Sequence, residues 1–181
     1  QTVVIAPHPD DESLGCGGLL ALLAAAQMRP RVVIVTDGSR SHASEAYPPP
    51  RLAALREAEA REAVAILGLG PTDLSFLGHA DCGIPMPETP AFESAAAALT
   101  DALAGADTVV VPWRRDPHCD HEAAWALARA AAGRLERAPR WIEYPVWAWQ
   151  HAATDLAPQE GEARPWRLDV GGMLDRKRRA I

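Results

Sequence analysis

At 181 residues the chain is long enough for one domain with a real buried core. Its net charge of −6, with 48% hydrophobic and 23% charged residues, suits a soluble globular protein. It argues against nucleic-acid or membrane partners, whose recognition usually asks for a basic face. Cys16, Cys82 and Cys119 are the only cysteines and form no CxxC, so a disulfide framework is not expected and a reducing, cytoplasmic compartment fits.

Thr2 to Ala6 is a short, β-branched apolar run that predicts a fully buried strand. No signal peptide is visible ahead of it, and no apolar stretch approaches the length of a membrane span. The glycine cluster Gly15-Cys16-Gly17-Gly18 reads as a turn, followed by a helix from Leu19 to Met28 that stops near Pro30. Val32 to Thr36 predicts a second strand. Residues 39 to 50 are polar, end in three prolines and read as a specificity loop, with His42 and His79 as further residues facing a pocket. Leu52 to Leu67 is an amphipathic helix closed by Gly68 and Gly70.

Asp73 to Leu77 predicts a third strand, Phe92 to Leu103 an alanine-rich helix and Thr108 to Val111 a fourth strand. Glu122 to Leu135 is the next helix, with its start at Asp120 or His121. Arg140 to Val146 predicts a fifth strand and Trp166 to Val170 a sixth. Residues 147 to 165 read as loop, and a last helix begins near Gly172. Strands alternating with helices predict an α/β fold: a Rossmann-like three-layer sandwich, a single domain over residues 1–181, with a mostly parallel sheet in the order 3-2-1-4-5. In that order the first and fourth strands are neighbours whose crossovers leave in opposite directions. The crevice at their carboxyl ends is the default ligand site.

Two polar clusters fall there. His8-Pro9-Asp10-Asp11-Glu12 packs three carboxylates and an imidazole into five residues, a self-repelling set that a divalent cation would relieve. Asp116-Pro117-His118-Cys119-Asp120-His121 adds two histidines three apart, flanked by aspartates. Imidazole and carboxylate donors suit zinc, and three protein ligands leave a position open for water. The glycine cluster does not make a dinucleotide site: Leu20 occupies the third glycine position of GxGxxG, and the adjacent acids would repel a pyrophosphate. Gly17 and Gly18 instead predict close packing of the helix on the sheet. Glu12 either supports the metal ligands or caps the turn. Cys119 is a space-filler, a soft extra ligand or an oxidation site. Trp113, Trp147 and Trp149 lie near predicted strand ends, where they pack in the core or face the site.

The first cluster resembles the AHPDDE motif, and with Pro117-His118-Cys119-Asp120-His121 the chain resembles the LmbE-like (PIG-L) family of zinc-dependent de-N-acetylases. Thr36-Asp37-Gly38, the helix positions Arg56, Glu59, Ala63, Leu67 and Gly68, and Leu77-Gly78 with Asp81-Cys82-Gly83 extend the likeness over nearly the whole chain. Pro7 and Cys119 depart from residues common in the family, and neither change removes a ligand. The resemblance implies metal ligands His8, Asp11 and His121, Asp10 as general base and His118 as second catalytic residue, in its protonated form. Arg56 and Asp81 are the candidate substrate-binding residues, and Asp120 orients His118. The implied cofactor is Zn2+, with Fe2+ the variant. The implied reaction removes an N-acetyl group from an amino sugar such as N-acetylglucosamine, or from a sugar conjugate. A non-haem iron(II) oxygenase using the same two-histidine, one-carboxylate set, and a non-catalytic metal-dependent sugar-binding module, stand as alternatives. Oligomeric state stays open.

Overall fold

The computed structural model describes residues 1–42, 45–150 and 156–181. Its centre is a five-stranded sheet in the order β3-β2-β1-β4-β5, with every neighbouring pair parallel. The strands are β1 (Thr2–Ala6), β2 (Arg31–Thr36), β3 (Leu74–His79), β4 (Thr108–Pro112) and β5 (Arg140–Tyr144). The helices are α1 (Asp11–Ala25), α2 (Pro49–Leu67), α3 (Pro90–Ala102), α4 (Cys119–Ala132) and α5 (Leu174–Arg179).

The period of two along each strand sorts side chains into two layers. Val3, Ile5, Val33, Val35, Val109 and Val111 face α3 and α4, where they meet Phe92, Leu99, Leu127 and Ala128. Val4, Ala6, Val32, Ile34 and Val110 face α1 and α2, where they meet Leu20, Ala60, Val64 and Leu67. Residues 3 to 6 are completely buried, because β1 lies mid-sheet with helices over both faces. This is why its sequence is continuously apolar.

Three expectations are corrected. The glycine cluster is not a turn: α1 begins at Asp11 and runs through it. The amides of Ser13 and Leu14 donate to the Asp10 carbonyl at 2.9 and 2.8 Å, and the Glu12 carboxylate accepts from the Asp10 amide and the Ser13 hydroxyl. That side chain caps the helix start, and the acids Asp11 and Glu12 suit its positive end. The cluster's packing partners also differ from those expected. A Cβ on Gly18 would stand 2.7 Å from Val170 and one on Gly17 3.2 Å from Lys177, so these two face the C-terminal segment and not the sheet. Gly15 is the sheet contact: a Cβ there would lie 2.2 Å from the Tyr144 ring of β5. Finally, 166 to 170 forms no strand. Trp166 and Leu168 are exposed, and the chain passes over α1 through a 3-10 turn, Gly171–Met173, into α5. Ala43, Ser44 and residues 151–155, within the expected specificity loop and the loop after β5, lie outside the described residues.

The glycine packing predicts an asymmetric pair of variants. Gly15→Ala should destabilise the protein by up to about 2 kcal/mol. Overpacking costs roughly 1–3 kcal/mol and the gain in helix propensity returns about 1. The ring cannot withdraw, because its hydroxyl donates to the Ile5 carbonyl at 2.8 Å. Gly17→Ala, which meets only a flexible lysine stem and Leu67 Cδ2 at 3.6 Å, should be neutral or stabilising by up to about 1 kcal/mol. Urea midpoints of both variants check the difference.

Candidate active site

The carboxyl ends of β1 and β4 bring the two clusters together. Past β1 the chain turns through Pro7, whose carbonyl accepts from the Thr36 amide at 2.9 Å and hydroxyl at 2.8 Å. This clamp to β2 sets where His8 leaves the sheet. Past β4, His118 caps α4: its Nδ1 accepts from the Asp120 amide at 3.2 Å. The first turn of α4 then presents Asp120 and His121 towards β1.

Asp11 lies at the centre and is 2% exposed. Its Oδ2 stands 3.1 Å from His8 Nδ1 and 3.1 Å from His121 Nε2, and it also accepts from the His8 amide at 3.0 Å. The far nitrogen of each imidazole has its own carboxylate. His8 Nε2 meets Asp120 Oδ2 at 3.0 Å, with Asp81 Oδ1 3.6 Å away, and His121 Nδ1 meets Asp116 Oδ2 at 2.7 Å. Burial disfavours charge on all these groups, yet their mutual pairing dominates. Asp11, Asp116 and Asp120 are held below the usual carboxylate range, while His8 is raised to about 10 and His121 to about 9. Burial and the neighbouring charges of His8 and His121 push His118 the other way, below its ordinary value.

The donor set fits a divalent cation. His121 is fully buried, and its Nε2 lacks a partner in hydrogen-bonding geometry even though Asp11 is close. Donors about 2.1 Å from a tetrahedral zinc lie roughly 3.4 Å apart, near the spacing of Asp11 Oδ2 to each imidazole. Each outer nitrogen bonded to a carboxylate is the usual support for a metal-ligating histidine. Donor atoms of His8, His118 and His121 fall within 4.8 Å of one another, as do those of His8, Asp81 and Asp120, and Asp11 is in neither of these groups.

Asp10 has a different environment. Its side chain is 48% exposed and pairs with Arg56 Nη2 at 2.9 Å, and its backbone φ is 133°, a conformation costly for any residue with a Cβ. Arg56 also donates to the Pro9 carbonyl. Desolvation and the Asp11 charge push the Asp10 carboxyl up, against the pull of Arg56. Arg56 and Asp81 are thus already engaged within the protein, Arg56 on Asp10 and Asp81 on the Arg40 amide at 2.9 Å. Asp120 reaches His8 through its carboxylate and His118 only through its amide. His42 is exposed beside Ser41, and His79 ends β3; neither joins a metal-capable group among the described residues.

Sequence reasoning named Asp116 without giving it a role. The carboxylate is fully buried, holds His121, and accepts from the amides of Val146, Trp147 and Ala148. It therefore anchors the segment after β5 to the cluster. The available signal was an aspartate five residues before a candidate ligand. Trp147 lies against His118, with ring centroids 6.3 Å apart and planes at 17°. Trp147 is 40% and Trp149 80% exposed, whereas Trp113 is buried with its Nε1 donating to the Leu156 carbonyl.

Comparison with known proteins bears on these residues. The chain is 27% identical over 198 residues to 2'-N-acetylparomamine deacetylase of Streptomyces fradiae, an alignment covering all of this chain and 71% of that one. Among solved structures, the N,N'-diacetylchitobiose deacetylase of Pyrococcus horikoshii superposes with a TM-score of 0.75 at 22% identity, covering 99% of this chain and 67% of its own. The 4-carboxy-2-hydroxymuconate hydratase of Pseudomonas putida gives 0.72 at 22% identity, covering 99% and 77%. Those two likenesses establish the fold, shared by enzymes of different chemistry. Residues 3–132, which contain both polar clusters, match the PIG-L family described as GlcNAc-PI de-N-acetylase, and the chain belongs to that family.

Proposed function

We infer that the protein is a metal-dependent hydrolase that removes an N-acetyl group from an amino sugar of the N-acetylglucosamine type, or from a conjugate of one. The observation carrying this reading is the division of labour between adjacent aspartates. Asp11 is buried between two imidazoles, while Asp10 is half-exposed and pairs with Arg56. A base for hydrolysis needs the second environment and a cation ligand the first. Family membership and the named activity of the Streptomyces relative support deacetylation over an iron(II) oxygenase or a binding module. No helix of the described residues is long and apolar enough to cross a membrane, and a cytoplasmic site of action remains part of the proposal.

His8 Nδ1, Asp11 Oδ2 and His121 Nε2 would hold the cation, with zinc the best match to the donors and Fe2+ the variant. When bound, it supplies Lewis acidity and lowers the pKa of a water to about 7. Asp10 takes the proton of the attacking water, and Arg56 fixes the carboxylate that does so. His118 is the electrophile. Its Nδ1 accepts a backbone amide, so the neutral ring carries its proton on Nε2, which donates to the oxygen of the tetrahedral intermediate. This assigns a neutral His118 in place of the protonated one implied by resemblance. The proton held by Asp10 then passes to the leaving amine. Asp120 and Asp116 keep His8 and His121 in their tautomers, and Asp81 backs His8. Trp147 and Trp149 offer rings for the apolar face of a saccharide.

Acetate release from a panel of N-acetylated glycosides, with and without chelator, tests the reaction; a panel without release in zinc-loaded protein refutes it. Asp10→Asn should keep stoichiometric zinc and lower kcat by about 10²–10⁴, and wild-type turnover would end the base assignment. His8→Ala and His121→Ala should each lose zinc, read by atomic absorption after dialysis. His118→Ala should retain zinc while losing about 10²–10³ in kcat. Loss of the metal there would instead make His118 a ligand.

A further inference from the structure

Two of the three thiols meet beside this cluster. Cys119 is the first residue of α4, Cys82 lies in the turn after β3, and both are exposed. The Cys119 thiol donates to Cys82 Sγ at 3.8 Å. Backbone bonding holds the pair in register. The Cys82 amide donates at 2.7 Å to Oδ2 of Asp120, the neighbour of Cys119. The Cys82 turn is closed by the Gly83 amide on the Ala80 carbonyl at 2.8 Å, with Cys82 itself at φ 54°. Neither cysteine belongs to a metal-capable group among the described residues. Cys16, 3% exposed inside the α1 packing, is remote from oxidants. The two thiols are thus exposed and already directed at each other.

We propose that Cys82 and Cys119 are a redox modification site, joined by peroxide into a reversible intrachain disulfide that fastens the turn after β3 to the first turn of α4. One sulfur attacks a peroxide oxygen; the O–O bond breaks, water leaves and a sulfenic acid forms. The second sulfur attacks the first, the S–S bond forms, the S–O bond breaks and a second water leaves. Two thiols and one hydrogen peroxide become one disulfide and two waters, with two electrons passing from sulfur to oxygen. A dithiol reverses the reaction by exchange. Closing the sulfurs to about 2.05 Å draws the turn bearing Asp81 towards the one bearing His118, Asp120 and His121. The bond therefore forms in the wall of the site, between two segments that the reduced protein joins at this point through the Cys82 amide on Asp120 and the Cys119 thiol on Cys82.

The test treats the full chain with near-stoichiometric hydrogen peroxide, blocks remaining thiols by alkylation and maps tryptic peptides without reduction. Cys82 and Cys119 fall on separate peptides, residues 62–114 and 116–129. The expected product is a linked pair about 2 Da lighter than the two free peptides together, with Cys16 alkylated, the protein monomeric on a non-reducing gel, and full reversal by dithiothreitol. Cys16→Ser should form the same bond and Cys119→Ser should not. Alkylation of both thiols, sulfinic adducts on unlinked peptides, cross-links only between chains, or a bond to Cys16 would each overturn the proposal. None of these readouts uses a substrate, so the outcome is independent of the deacetylase reading.

Discussion

The arrangement rests on one buried carboxylate. Asp11 has almost no contact with water, and two imidazoles from distant parts of the chain approach the same oxygen. An isolated charge at that depth would be strongly disfavoured. Here it is stabilised by His8 and His121, whose outer nitrogens are in turn held by Asp120 and Asp116. The chain of contacts from Asp120 through His8, Asp11 and His121 to Asp116 is continuous. It pins the end of β1 to the first turn of α4, and Asp116 extends the same network to the backbone after β5. Such a network is costly if any member is left unpaired, which is why each ring nitrogen of His8 and His121 stands beside a carboxylate oxygen.

The parallel sheet makes this juxtaposition. With β1 and β4 adjacent, the gap between their carboxyl ends is the topological switch point of the sheet. His8 and Asp11 after β1 and Asp116, His118, Asp120 and His121 after β4 gather at that gap. The close approach of α1 to β5, through Gly15 and the Tyr144 ring, then fixes the start of α1. That start places Asp10 in its uncommon backbone conformation and Asp11 one residue into the helix. The contrast between a half-exposed Asp10 and a buried Asp11 is thus a consequence of helix capping. Glu12 contributes by holding the Asp10 amide.

Much of this was legible in the chain itself. Continuous apolar runs mark buried strands, and their alternation with helical patterns leads directly to a parallel sheet in the observed order. The two polar clusters stand out because acids and imidazoles at that density need a shared counter-charge. Where local reading failed, tertiary contacts had overridden propensity. Four successive residues rich in glycine read as a turn, but the helix continues because Tyr144, Val170 and Lys177 occupy the space their side chains would need. The stretch Trp166 to Val170 read as a strand, yet β5 already forms the sheet edge and the segment crosses α1 instead.

The sequence by itself determined the fold class, the strand order and the identity of the polar groups at the crevice, because periodicity and motif spacing are local properties. Only the tertiary structure decided which partner each of those groups takes. Arg56 was a substrate-binding candidate in the sequence and in the fold holds Asp10. Asp116 was one acid among several and proves to orient His121. His118 is set in one tautomer by the amide it caps. Cys82 and Cys119, unrelated in the sequence, come within 3.8 Å. Each of these depends on a partner tens of residues away or on the direction of one hydrogen bond, and neither is encoded in spacing along the chain. The opening motif therefore announces a dense acid and imidazole cluster, while the burial of Asp11 and the exposure of Asp10 belong to the packing of α1.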